Sequence, residues 1–354
     1  MSELKERLLL IDGFNIFIAQ NAVTSISDEN CNPIGAYITT ISQVRNFVDK
    51  FRPNKIIFCI DGANAGERRR KLYPSYKGKR RIKGRSSKIV MLEGDDNKDE
   101  FVKHEDQQGF ERQLKQVYDF FKLLPVSVCV VPYCEADDII SYIALKNQKE
   151  YDVIITSTDK DYLQLINDNI SVYNWHTKKL YDKNRFEDEF KIIPKNYIFR
   201  KIILGDTSDE IKNTKSIGIK TFEGIFLNEL SSNVHLESIE DFYNYIELIN
   251  LIDLQKKYHK HIELLKESDT RQSLILKYRI MKLDESCLKL NHIELLRQEL
   301  EEQKNRQFSK LSARMKIIKD SFYKIYGQSG IKTFNPDRFL QPFVFVRTNK
   351  EIIV

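Results

Sequence analysis

Four short apolar runs in the first half of the chain each lead into carboxylates. Leu8-Leu9-Leu10-Ile11 meets Asp12, and Lys55-Ile56-Ile57-Phe58-Cys59-Ile60 meets Asp61. The run at 126–131 leads past Pro132 to Glu135, Asp137 and Asp138, and Val153-Ile154-Ile155 leads to Asp159 and Asp161. Runs this short and this rich in β-branched residues fit strands buried on both faces. Between them, Tyr37, Ile38, Ile41, Val44, Val48 and Phe51 recur at helical spacing, as do Phe110, Leu114, Val117, Phe121 and Leu124. Ile139, Ile140 and Ile143 mark another helix, and Ile170-Ser171-Val172-Tyr173 a further strand. The alternation predicts an α/β fold with a doubly wound, mainly parallel sheet. In such a sheet the carboxyl ends share the edge where ligands bind. Acids far apart in sequence are therefore expected in one pocket. Crowded carboxylates repel unless something neutralises them, and hard divalent cations take oxygen ligands. The expectation is a metal-dependent enzyme.

After about residue 186 the strand pattern fades and Lys- and Glu-rich helical patterns take over. At 354 residues there is room for two domains or one large one. The expected division is an α/β domain at 1–185 and a helical domain at 186–354, with one more strand at 339–346. Within the first, residues 62–106 break the alternation with a basic block followed by the acidic stretch 93–100. A long insertion of this kind is usually functional or disordered. The net charge of +6 permits a polyanionic partner without requiring one. Five scattered cysteines with no CxxC pair suggest neither a disulfide framework nor a zinc site, and so a reducing interior. No apolar run approaches the ~18 residues of a membrane span, so a soluble, cytoplasmic protein is expected, with no membrane partner.

Each motif has a plainer reading beside the chemical one. Asp12-Gly13-Phe14-Asn15 and Asp61-Gly62-Ala63-Asn64 also suit strand-ending turns. Glu135-Ala136-Asp137-Asp138 opens a helix, where the macrodipole favours an acid; capping accounts for one of the three, not all. Asp159 and Asp161 lie two apart after the fourth strand, and Asp206 and Asp209 three apart in Gly205-Asp206-Thr207-Ser208-Asp209-Glu210. The basic block runs from Arg68, Arg69, Arg70 and Lys71 to Lys77, Lys79, Arg80, Arg81, Lys83, Arg85 and Lys88, with Tyr73 and Tyr76 interleaved. Charge runs are commonly just solvated; interleaved rings suit nucleic acid, because bases stack on them while cations hold phosphates. No phosphate loop of the GxxxxGK[ST] type, GxGxxG, HExxH or nucleophile elbow occurs.

Taken in order, these motifs resemble the 5′→3′ exonuclease and flap endonuclease family, in particular its short bacteriophage-type members, including the phage ribonuclease H type. The resemblance covers roughly residues 8–222. It rests on Leu10-Ile11-Asp12-Gly13, Phe58-Cys59-Ile60-Asp61-Gly62, Arg69-Arg70-Lys71-Leu72-Tyr73 with Tyr76-Lys77-Gly78-Lys79-Arg80, Glu135-Ala136-Asp137-Asp138, the run 157–165 containing Asp159 and Asp161, and Leu204-Gly205-Asp206-Thr207-Ser208-Asp209. It implies a PIN-like sheet, two Mg²⁺ ions with Mn²⁺ as substitute, and hydrolysis of phosphodiesters near 5′ ends. Asp12, Asp61, Glu135 and Asp137 would serve one ion. Asp159, Asp161 and Asp209 would serve the other, with Asp137 bridging and Asp138 and Asp206 supporting. Lys77 and Arg80 would sit beside the scissile phosphate. Tyr76 would stack on a terminal base, and the segment from about 82 to 106 would form an arch. Arg69, Tyr73, Lys79, Arg81 and Lys83 would join them on DNA.

The family continues into a helix-hairpin-helix variant, here near 205–228, that grips duplex backbone, often with K⁺. Ile211 and Ile217-Gly218-Ile219-Lys220-Thr221 match it, with Lys215 and Lys220 facing DNA. The chain departs from the family at Lys212, Asn213 and Ser216, where Pro and Gly are usual; Asn213 is expected to keep the turn, because Asn tolerates positive φ. Beyond about residue 230 no motif matches, and the helical extension is left to duplex DNA, a single-stranded-DNA-binding protein, a clamp or a polymerase. The implied enzyme is a monomer acting on DNA ends, flaps and RNA primers in replication or repair, in the bacterial host cytoplasm if phage-encoded. The rival readings are a PIN-type endoribonuclease, which shares the sheet and acids without arch or hairpin, a non-catalytic structure-specific DNA-binding module, and an Mg²⁺-dependent phosphatase.

Overall fold

The computed structural model describes residues 5–24, 26–78, 105–226, 234–249, 254–304, 308–323, 334–347 and 350–354. The backbone divides into two compact units. One comprises Met1–Ala63, Ile89–Thr158 and Glu285–Val354; the other comprises Asn64–Lys88 and Asp159–Asp284.

In the first unit β1 (Glu6–Asp12), β2 (Lys55–Asp61), β3 (Ser127–Val131) and β4 (Tyr151–Thr156) run parallel in the order β3-β2-β1-β4. Leu10 pairs with Ile57 on one side and Ile155 on the other, and Cys59 pairs with Cys129. Leu8, Leu9, Leu10 and Ile11 have no exposed surface, as expected of a central strand covered on both faces. Each such side chain contributes about 1.5–3 kcal/mol of burial free energy. The helices Gly35–Phe51 and Glu105–Phe121 form close to where the apolar spacing puts them. Phe121 packs on Phe58 of β2 with ring centroids 4.8 Å apart. The helix Ala136–Asn147 packs on β1 and its neighbours.

The expected cut at residue 185 is not where the backbone divides: Glu285–Val354 falls in the same unit as the sheet. The helix Leu290–Lys304 lies along β3, the end strand of the order above. The Gln303 amide accepts from the Val128 N–H and donates to the Val128 carbonyl, both at 2.7 Å, and Glu299 accepts from the Val130 N–H at 2.8 Å. Two side chains one helical turn apart thus answer an edge that would otherwise offer unpaired backbone groups. The strand expected at 339–346 is instead a helix Pro336–Leu340 running into a 3₁₀ turn, Gln341–Phe345. Asn335 caps it by accepting from the Asp337 and Arg338 N–H groups, and Pro336 supplies a φ already suited to a first helical turn.

The second unit holds the antiparallel pair β5 (Ile170–Asn174) and β6 (Lys179–Tyr181), and the helices Tyr197–Leu204, Ile219–Phe226, Ile239–Leu248, Lys256–Lys266 and Ser268–Met281. β6 has no signal in the sequence beyond three residues. Phe199 stacks on Phe242 with centroids 4.8 Å apart, and this aromatic contact helps join the helices. The short helix Glu67–Leu72 is tied in by Arg69, whose guanidinium Nε donates to the Ile280 carbonyl at 2.9 Å. Among the described residues no helix is long and apolar enough to cross a membrane.

Candidate metal and nucleic-acid site

In the first unit the acids stand at the carboxyl ends of the strands, and glycines make room for them. Asp12 ends β1 and caps the helix Gly13–Val23: its Oδ1 accepts from the Asn15 N–H at 3.1 Å and its Oδ2 from the Ser157 hydroxyl at 2.8 Å. A Cβ on Gly13 would come within 2.3 Å of the Phe58 ring. Asp61 ends β2, and its Oδ1 accepts from the Ala136 N–H at 2.8 Å. A Cβ on Gly62 would lie 1.8 Å from the Val131 carbonyl oxygen, so only glycine fits. The turn reading of Asp-Gly accounts for the glycine: it permits the close approach that seats the aspartate at the strand end.

Asp61 thus sits against the start of the helix that carries Glu135, Asp137 and Asp138. Glu135 and Asp138 form a capping box, each side chain accepting from the other's backbone N–H. Glu135 is 4% exposed and Asp138 3%. One carboxylate oxygen from each of Glu135, Asp137 and Asp138 lies within 4.8 Å of the others. Three carboxylates at that spacing, two of them buried and Asp137 partly so, offer hard oxygen donors that fit a divalent cation. Asn15, the last residue of the first Asp-Gly motif, pins the loop after β4: its amide donates to the Thr158 hydroxyl at 2.8 Å, and the Thr158 N–H donates to its carbonyl oxygen at 3.1 Å.

In the second unit Asp159 opens the 3₁₀ helix Lys160–Leu165 and accepts from the Asp161 N–H at 2.8 Å. Asp161 is buried. Burial and the neighbouring Asp159 push its pKa up, and Lys201 pulls it back. Asp206 accepts from the Ser208 N–H at 2.7 Å and hydroxyl at 2.5 Å. Burial alone would raise its pKa, but Lys201 and Ser208 outweigh that and hold it below the usual carboxylate range. Lys201, from the helix Tyr197–Leu204, donates to both Asp161 and Asp206. Burial opposes its charge, yet Asp161, Asp206 and Asp159 together keep it an ammonium. A lone lysine or glutamine on a helix face carries no signal without its partners, so the roles of Lys201 and Gln164 do not show in the sequence. Gln164 donates to the Asp161 carbonyl at 2.8 Å and the Met281 carbonyl at 3.0 Å, and accepts from the Leu283 N–H at 3.0 Å.

The foot of the basic block belongs to the same unit. The Lys77 N–H donates to the Asp209 carbonyl at 3.2 Å, and Lys77 adopts φ 53°, a left-handed conformation uncommon outside glycine. Two residues assigned to DNA need correction. Tyr76 is 2% exposed, with the Lys77 ammonium 4.8 Å from its ring centroid, so its face is not open to a base. Arg69 is also 2% exposed and holds a helix carbonyl rather than facing solvent. Tyr73 is half-buried. Lys79, Arg80, Arg81 and Lys83, the expected arch and the acidic stretch at 93–100 lie outside the described residues.

The hairpin segment joins the helices Tyr197–Leu204 and Ile219–Phe226. Buried Ile211 and Ile217 anchor it, and the Thr214 N–H donates to the Ile203 carbonyl at 2.7 Å. Ser216, not Asn213, takes the left-handed conformation, at φ 62°. The position where the family usually has glycine thus keeps glycine's backbone with a serine side chain. Lys215 and Lys220 are exposed beside it.

Residues 7–191 match the family model described as 5′–3′ exonuclease, N-terminal resolvase-like domain. The 5′–3′ exonuclease of Buchnera aphidicola subsp. Acyrthosiphon pisum (strain APS) is 27% identical over 279 residues, covering 78% of this chain and 87% of that protein. The 5′–3′ exonuclease of Aquifex aeolicus (strain VF5) is 26% identical over 299 residues, covering 83% and 91%. Among solved structures, the flap endonuclease of bacteriophage T5, in a pseudo-enzyme–product complex with DNA and metal ions, matches with TM-score 0.62 at 19% identity, over 85% of this chain and all of that one. The T5 5′-exonuclease with bound zinc matches with TM-score 0.60 at 19% identity, over 85% and 99%. At those identities the structural likeness speaks for the fold, and the family match covers more than half of the chain. With strand-end acids in family order and a fold shared with a flap endonuclease, this chain belongs to the 5′–3′ exonuclease family of phosphodiester-hydrolysing nucleases.

Proposed function

We propose that the chain hydrolyses phosphodiester bonds near 5′ ends of DNA, including flaps and RNA primers on DNA, with two Mg²⁺ ions that Mn²⁺ can replace. The observation that carries this reading is the convergence of Glu135, Asp137 and Asp138 at the helix end against which Asp61 is seated. We assign Asp12, Asp61, Glu135 and Asp137 to one ion, with Asp138 holding the cap, and Asp159, Asp161 and Asp209 to the other, with Asp206 in support. Bound there, divalent ions lower the pKa of water and neutralise charge on the phosphoryl oxygens.

The chain's own groups do the rest. Asn15 and Ser157 orient Asp12 and the loop after β4. Gln164 fixes the turn that carries Asp161. Lys77, with its backbone held on Asp209, presents a cation to the phosphate, and Arg80 is assigned the same role. Lys215 and Lys220 are assigned to the duplex backbone, where such contacts position without reading sequence. A non-catalytic DNA-binding module gives no reason to gather carboxylates beside a polyanion.

The test is cleavage of end-labelled single-stranded, nicked, flap and RNA-primed duplexes with Mg²⁺ and with EDTA. Metal-dependent products released from 5′ ends or junctions are expected, and their lengths separate exonuclease from flap cleavage. Cuts within RNA that need neither 5′ end nor junction favour the PIN-type endoribonuclease. Binding without products favours the module.

A further inference from the structure

Lys201 is a charge buried among the acids assigned to the second ion, and the proposed function gives it no role. It is 8% exposed, and its ammonium donates to Asp161 and Asp206. Its backbone carbonyl accepts from the Gly205 N–H at 2.8 Å, which closes the helix one residue before Asp206. The Asp161 backbone carbonyl accepts from the Gln164 amide at 2.8 Å. Among the described residues Glu135, Asp137 and Asp138 make up the group whose ligand atoms crowd within 4.8 Å, and the second unit's acids are not part of it. There the ammonium joins Asp161 to Asp206. A buried charge must be paired, and removing one partner is costly. A cation arriving at Asp161 therefore competes with one already present.

We propose that Lys201 is a built-in counter-cation: it holds Asp161 and Asp206 together without metal and weakens divalent-ion binding at the second unit's carboxylates. The proposal rests on the assignment of Asp159, Asp161 and Asp209 to a metal. Lysine suits the role because its ammonium is a compact point charge on a flexible stem, able to shift as a second cation enters. Two cations near one carboxylate repel each other strongly at the effective dielectric of a protein. Removing the resident charge should therefore strengthen metal binding, although it removes two hydrogen bonds.

The test is manganese(II) binding to the full chain without DNA, by calorimetry and by electron paramagnetic resonance of the free ion. Wild type should show a tight class and a weak class of sites, and Asp161→Asn should remove the weak one. Lys201→Gln keeps an amide donor but drops the charge; it should tighten the weak class about tenfold. Lys201→Arg should leave it near wild type. An unchanged or weakened weak class in a folded Lys201→Gln overturns the proposal while the metal assignment stands. If Asp161→Asn removes no class, the assignment fails and the proposal with it. Should Lys201→Gln not fold, the wild-type protein with ¹⁵N-labelled lysine decides, using Mg²⁺ as the diamagnetic probe. The Lys201 ammonium resonance, identified by its loss in Lys201→Arg, should move with the weak binding phase; a resonance that does not move with that phase overturns the proposal.

Discussion

Replacing Gln164 by methionine isolates the role of the turn that carries Asp161. The two side chains are close in length and volume, so packing is largely kept while three hydrogen bonds disappear. The bond to the Asp161 carbonyl is local, three residues back. The other two reach the Met281 carbonyl and the Leu283 N–H, both more than a hundred residues away in sequence. Gln164 is 8% exposed, so water does not readily replace its amide. Each stranded buried backbone group costs roughly 1–3 kcal/mol and the local bond contributes about 1 kcal/mol. Partial relaxation brings the expected loss to about 2–4 kcal/mol, at the high end of single substitutions. Urea unfolding should show it as a lower midpoint with an unchanged slope. Turnover should fall below what the folded fraction explains, because Asp161 loses its seat, while affinity for flap DNA stays within about twofold. A loss under about 1 kcal/mol with normal turnover would refute the reasoning: the buried amide would be neither a structural tie nor a positioning device.

Four further outcomes are expected. Asp159→Asn should abolish cleavage while DNA binding holds or improves, since a negative charge leaves; lost binding in a folded variant counts against the metal assignment. Lys77→Ala should lower turnover far more than affinity in single-turnover and gel-shift assays, and near-normal turnover would take it away from the reacting phosphate. Gly62→Ala should destabilise by more than about 3 kcal/mol in thermal or urea unfolding, because its Cβ meets the Val131 carbonyl at 1.8 Å; a soluble protein of wild-type stability would contradict that contact. Ser216→Gly should raise stability by ~0.5–1 kcal/mol, since φ 62° costs a non-glycine residue more than glycine's freedom costs the unfolded chain. A lower melting temperature would contradict this.

What the chain reveals by itself is what depends on near neighbours. Apolar runs such as Leu8–Ile11 and the helical spacing of Tyr37 to Phe51 depend on repeats a few residues long, and they yield four parallel strands ending in acids. Motif order then carried the family, because six weak signals in a fixed sequence are jointly specific. The helix start at Glu135 and the glycine after Asp61 were legible for the same local reason.

Tertiary structure alone decided whatever hangs on a distant partner. Lys201 and Gln164 look ordinary until Asp161 and Met281 come into view, 40 and 117 residues away. Arg69 and Tyr76 read as nucleic-acid contacts until their burial is seen; Arg69 finds its carbonyl 211 residues on. The C-terminal helices read as a separate domain, yet Gln303 reaches across 175 residues to satisfy the edge of β3. Periodicity records which face of an element is apolar, not which element covers it. A single side-chain hydrogen bond leaves no repeat in the chain, so pairings across long separations emerge only from the folded form.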